Sequence, residues 1–114
     1  DCSDKDMTHI MYVTASDNND YSVSGYTKRN EYITGLDPYL SFNVNDAIYF
    51  YVNADGNGTR HYFHLKSEPT TGLGKQIHPS GTYAGLIIWK PTEPGTYYYQ
   101  CRTHEGMGGT IVIE

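Results

Sequence analysis

The chain has 114 residues, enough for one domain with a single continuous core and too few for two. Hydrophobic residues make up 38% and charged residues 18%, which excludes a highly charged disordered chain, and the 12 tyrosines favour β structure. A formal net charge of -5, with only 8 Lys+Arg and no basic run, gives no electrostatic footing for nucleic acid or an anionic membrane.

The opening "DCSDKDMTH" is too polar for a signal peptide, and no apolar stretch approaches the roughly 20 residues of a membrane helix. Residues 1–7 are expected to form a mobile tail on a single domain spanning 1–114, and an exported chain would already have lost its leader. "THIMYVTA" at 8–15 predicts the first strand, with His9 on its outer face and Met11 as core filler; Met7 belongs to the tail. A weaker strand follows near "YSVSGY" at 21–26. The stretch from Thr27 to Pro38 is undecided between a short helical turn and an irregular loop. "YLSFNV" at 39–44 and "AIYFYV" at 47–52 flank Asn45-Asp46, a turn-prone pair that predicts a tight connection between strands.

Loop chemistry follows in "ADGNG" at 54–58, where Asn57-Gly58-Thr59 forms a glycosylation sequon of a kind that chance often produces. Strands are then predicted at "RHYFHLK" (60–66), "AGLIIW" (84–89), "TYYYQC" (96–101) and "GTIVIE" (109–114), divided by "TTGLG", "HPSG" and "PTEPG". No helical period persists, and seven or eight short strands are the number expected of an all-β sandwich.

The C-terminal end concentrates the chemistry. A strand period of two puts Tyr97, Tyr99 and Cys101 on one face, so a core made by the tyrosines turns the Cys101 thiol inward at the strand's end. The loop "RTHEGMG" before the last strand can bring His104 and Met107 back towards that sulfur. Thiolate, imidazole and thioether are softer ligands than carboxylate, and thioether is rarely chosen for zinc, calcium or magnesium. The combination points to copper, whose redox sites commonly use two histidines and a cysteine with a weaker methionine. One histidine must therefore come from elsewhere.

In "GTYYYQCRTHEGMGGTIVIE" the chain resembles the cupredoxins, the small blue copper proteins. Their pattern is Gly-x-Tyr-x-Tyr-x-Cys, then a short loop with a histidine and a methionine, then a final strand near a glycine. The Cys-x2-His-x2-Met spacing looks like the short ligand loop of amicyanin; plastocyanin has a longer one. "LSFNVNDAIYFYV" and "IIWKPTEPGTYYYQC" extend the resemblance upstream, and it is weakest over residues 1–38. It implies a Greek-key β-sandwich and one copper per chain. The family's first histidine lies early on a strand, in a segment similar to "TRHYFHL". Of its two histidines, His61 shares a strand face with Phe63 and Leu65 and matches the family position. His64, on the face of Tyr62 and Lys66, is the fallback ligand and is otherwise read as a half-exposed surface residue. His78, before Pro79, reads as a solvated turn residue.

The expected ligand set is thus His61, Cys101, His104 and Met107, a type 1 copper site carrying single electrons, with His104 near the surface as the electron's exit. Gly106, Met107 and Gly108 would let a redox partner approach closely. The alternatives are copper storage or carriage, or a structural extracellular binding domain. A Cys2–Cys101 disulfide is also open and excludes copper; with Cys101 on a metal, Cys2 is left free or linked elsewhere. Copper enzymes with this fold couple their centres through a histidine beside the cysteine. Here Gln100 and Arg102 flank Cys101, no His-x-His is present, and five histidines leave little for a second centre, so a non-enzyme is expected. By resemblance the protein is exported, to the periplasm or outside the cell.

Overall fold

The computed structural model describes residues 8–56 and 58–114; the expected tail with Cys2 and Met7, and the sequon's Asn57, lie outside the described residues. Its regular elements are all strands: β1 Thr8–Thr14, β2 Ser22–Tyr26, β3 Tyr32–Leu36, β4 Leu40–Phe42, β5 Ala47–Asn53, β6 Asp55–Gly56, β7 Thr59–Arg60, β8 Phe63–Lys66, β9 Ala84–Trp89, β10 Gly95–Cys101 and β11 Gly108–Ile113. They form a five-stranded sheet of order β3-β2-β1-β5-β9, a four-stranded sheet of order β4-β11-β10-β8, and the short pair β6-β7. The two large sheets enclose one core, in which Met11, Val13, Val23, Ile48, Phe50 and Val52 of the first meet Leu40, Phe42, Phe63, Leu65, Tyr99 and Ile111 of the second. This is the all-β sandwich expected. No helix among the described residues is long and apolar enough to cross a membrane.

Alternation explains the inward sets of β1 and β5, whose burial switches at every residue. The undecided stretch 27–38 is a turn leading into strand β3. β3 pairs antiparallel with β2 through a turn in which Thr27 N–H donates to Glu31 O (2.9 Å) and Asn30 takes the left-handed conformation (φ 62°). It was illegible because it is an edge strand whose outward positions are Tyr32, Thr34 and Leu36 and whose inward positions are Ile33 and a glycine. Asn45-Asp46 does make a tight connection, with Asn45 at φ 68°, but β4 and β5 belong to different sheets, so the turn is a crossover between layers.

His9 is buried, correcting the outer-face expectation. Its Nδ1 accepts from the Lys28 backbone N–H (3.0 Å), which leaves the proton on Nε2 to donate to Asp46 Oδ2 (2.7 Å). Lys28 Nζ and the Asn43 N–H complete the carboxylate's shell. Those contacts tie β1, the β2–β3 turn and the β4–β5 turn together at one end of the sandwich.

A second tie joins the sheets at the corner between β3 and β4. Asp37 and Tyr21 exchange hydrogen bonds, Asp37 N–H to Tyr21 O and Tyr21 N–H to Asp37 Oδ1, both 2.8 Å. The next residue's carbonyl, Pro38 O, accepts from the Tyr99 hydroxyl of β10 at 2.6 Å. Burial, and after it the neighbouring Asp20 carboxyl, push the Asp37 carboxyl up to about 7.

Two predictions follow from these contacts. A Cβ on Gly25 would run into the Ile10 carbonyl and come within 3.0 Å of Met11 Cα, so Gly25→Ala should cost about 3 kcal/mol in chemical denaturation. Because Asp37 holds its proton more tightly folded than unfolded, where its pKa is about 4, its contribution is complete below that value and lost as pH rises through about 7. Stability measured from pH 5 to 8 should decline, and Asp37→Asn should flatten that decline.

Candidate metal centre

β10 carries Cys101 to the end of the sandwich as a buried free thiol. Its N–H donates to the Met107 carbonyl (2.8 Å) and Met107 N–H to the His104 carbonyl (3.2 Å), so residues 102–106 are closed into a compact loop by the chain's own backbone. Gly106 adopts φ 78° in this loop, a conformation that glycine reaches without strain. At its end, a Cβ on Gly108 would strike the Tyr99 carbonyl.

The loop places His104 Nδ1 3.4 Å from Cys101 Sγ. From the other side, His61, in the break between β7 and β8, places its Nδ1 3.8 Å from the same sulfur. The two rings lie 5.0 Å apart, and one ligand atom from each of the three residues falls within 4.8 Å of the others. His61 is held in this break by its backbone: its N–H donates to Ala54 O (3.0 Å), and its carbonyl accepts from the buried Tyr21 hydroxyl (3.2 Å). Its side chain is fully buried and Nε2 has no partner among the described residues. Burial, and next the charge of His104, lower its pKa, so the ring is neutral and keeps a lone pair to offer. Met107 is fully buried beneath the same loop.

Three of the four expected ligands, His61, Cys101 and His104, therefore converge, and Met107 is buried in the loop that joins them. His64 does not join them, nor is it half-exposed. It is buried, with Nδ1 at 2.8 Å from Gln76 Oε1 and Nε2 accepting from Arg102 Nε at 3.1 Å. The period-two reading failed here because the segment Ser67–Gln76 folds back over the outer face of β8. Ser67 N–H bonds Lys75 O and Gly72 N–H bonds Arg102 O, and Lys66 is enclosed with its ammonium on the carbonyls of Thr70, Thr71 and Gly72. His78 lies outside the group in a loop. Met107, expected to help a partner approach, is wholly inside; Thr103, Glu105 and Gly106 are the exposed loop residues and His104 is partly exposed.

Sequence reading missed two supporting side chains. Gln100 is buried, and its Nε2 donates to the carbonyls of His104 (2.9 Å) and Cys101 (3.2 Å), bracing the loop from below. Arg102 stacks on Tyr62, with Cζ 4.2 Å from the ring centre, while donating to His64. A polar residue immediately before Cys101, on the strand that anchors the loop, was the available signal for Gln100. The stack of Arg102 on Tyr62 depends on residues far apart in sequence and had none.

The chemistry of the donor set fits a soft or borderline metal. Two imidazole nitrogens face one buried thiol, with a thioether in the same short loop and no carboxylate in the cluster.

No protein-family model matches the chain, and no curated protein matches it. Solved structures do. A substituted rusticyanin is 21% identical with a TM-score of 0.68, over 95% of this chain and 78% of that one. Reduced rusticyanin gives 21% and 0.68, over 95% and 80%. Rusticyanin from Thiobacillus ferrooxidans gives 20% and 0.65, over 95% and 78%. Rusticyanin is a copper protein. The chain therefore has the cupredoxin fold.

Proposed function

We propose that the protein is a type 1 copper electron carrier, with His61, Cys101, His104 and Met107 as ligands. The observation that carries this reading is the approach of two imidazole Nδ1 atoms, from β7–β8 and from the loop after β10, to one buried free thiol. Two histidines and a cysteine with a weak methionine are the donor set of electron-transfer copper. Copper held there would supply a one-electron couple, Cu(I)/Cu(II).

The chain's part is to keep the ligands still. Cys101 gives the thiolate, His61 and His104 the imidazoles, and Met107 a neutral thioether that tunes the potential. Each sits on braced backbone: Cys101 N–H on Met107 O, His61 N–H on Ala54 O, and the His104 carbonyl on Gln100 Nε2. A site whose ligands move little between oxidation states reorganises little on electron transfer. Complete burial of His61, Cys101 and Met107 favours retention of the metal over its exchange with a carrier partner.

His104 is the partly exposed ligand and the proposed exit to a redox partner protein, which would dock over Glu105 and Gly106. Nothing in the cluster offers a second metal centre or a substrate position, and the protein is read as a carrier, not an enzyme. Export, to the periplasm or outside the cell, accords with a free thiolate ligand that a reducing cytosol would expose to competing thiols.

One equivalent of Cu(II) should produce an intense thiolate-to-copper visible band and narrow EPR hyperfine splitting, both absent from Cys101→Ser; a weak, colourless adduct indifferent to that substitution would refute the assignment. Met107→Leu removes a neutral donor that favours the more positive oxidation state, so the midpoint potential in voltammetry should rise. Gln100→Ala should cost about 2 kcal/mol for two hydrogen bonds to loop carbonyls, one of them buried, read in denaturation of the metal-free protein, and should broaden the copper EPR signal as the His104 loop loosens.

A further inference from the structure

The outer face of the five-stranded sheet is unlike the rest of the surface. No outward position on β1, β2, β3, β5 or β9 is Asp, Glu, Lys, Arg or His, although the chain has 13 Asp+Glu and 8 Lys+Arg. The strand register aligns Tyr32, Tyr26, Ile10, Tyr49 and Ile88 in one row across all five strands. A second row runs from Tyr12 to Tyr51 to Leu86, and the rings of Tyr12 and Tyr51 stack at 5.4 Å. The remaining outward positions are Ser, Thr, Asn, Ala and Leu36. Charge returns at the margins, in the Lys28-Arg29-Asn30-Glu31 turn, at Asp17 and Asp20 between β1 and β2, and at Lys90 after β9.

Seven large side chains of this face are between 40% and 67% exposed. On ~200 Å² for a whole tyrosine and somewhat less for leucine or isoleucine, they expose roughly 700 Å² of mostly apolar surface. That exceeds the patch of about 300–600 Å² usual on a monomer, and with the flanking serines and threonines it reaches the about 800 Å² per partner of a stable interface. An apolar, tyrosine-rich centre with a polar rim is the anatomy of such an interface.

We infer that this face is the contact surface of a symmetric dimer, its occupant a second copy of the chain. The charge distribution selects that occupant. In a two-fold interface each patch meets itself, so a patch bearing net charge of one sign repels its copy. A chain of net charge -5 has kept this face neutral throughout, and has placed nothing on it that would recognise an ionic partner. β1 is the middle strand of the sheet and Tyr12 lies at its centre, so Tyr12 of one protomer falls near the two-fold axis.

Sedimentation equilibrium of the whole chain is the test, with far-UV circular dichroism melting of every variant to establish folding. The wild type should sediment as a dimer of the 12.9-kDa chain at micromolar concentration. Tyr12→Lys and Tyr12→Glu alone should each weaken dimerisation at least tenfold, and their equimolar mixture at low salt should restore it. Should the Tyr12 variants not fold, Tyr26→Lys reads the same surface nearer its edge. A wild type that stays monomeric to millimolar concentration would overturn the inference, whether or not the face then proves to bind a neutral polysaccharide or a different protein. A dimer equally stable with folded Tyr12→Lys or Tyr26→Lys would overturn it too.

Discussion

The site depends on one local constraint: β10 must end with its sulfur inside the sandwich and the chain must turn back at once. The hydrogen bond from Cys101 N–H to Met107 O meets both demands. It fixes the strand's last residue and closes the loop that returns His104 to within 3.4 Å of the sulfur. Gly106 lets the turn take a left-handed conformation, and Gly108 lets β11 begin against the Tyr99 carbonyl. The other half of the cluster is independent of this loop. His61 is delivered by the break between β7 and β8, and it meets the loop only because the β8–β10 pairing sets Cys101 opposite Phe63.

Those features explain why so much of the site was legible. Cys101, His104 and Met107 lie within seven residues, so their proximity is a property of one strand end and one loop, and needs no knowledge of the sandwich. His61 was legible because inward alternation singled it out from His64. The same rule misplaced His64 and Lys66, which lie on the outer face of β8 but are roofed by the segment Ser67–Gln76. Alternation separates the two faces of a strand; it does not reveal that a distant loop covers one of them. His9 failed for a related reason, since its burial rests on Asp46 and the Lys28 backbone, contacts 37 and 19 residues away. β3 failed because an edge strand with an inward glycine leaves almost no hydrophobic signature.

The sandwich is tied at both ends by buried polar contacts, and the two ends serve different purposes. The His9–Asp46–Lys28 group joins β1 to two turns through a satisfied network, a means of fixing one arrangement of strands. At the His61–Cys101 end the polar groups are not all satisfied: among the described residues His61 Nε2 is buried without a partner, and the thiol has the two imidazoles, Thr103 and the Tyr21 hydroxyl near it. A buried polar group left open costs stability, a cost that a ligand bound there would offset. Tyr21 stands between these regimes. Its hydroxyl donates to the His61 carbonyl while burial, then the nearby Cys101, drive its pKa upward, so it remains a neutral donor.

The central claim is that His61, Cys101 and His104 bind one metal together. The most direct measurement is X-ray absorption at the copper edge on the protein loaded with one equivalent, in oxidised and reduced states. Binding by all three residues predicts one short sulfur and two imidazole nitrogens in both states, with little change between them. A shell of only nitrogen and oxygen, or loss of an imidazole on reduction, would contradict it.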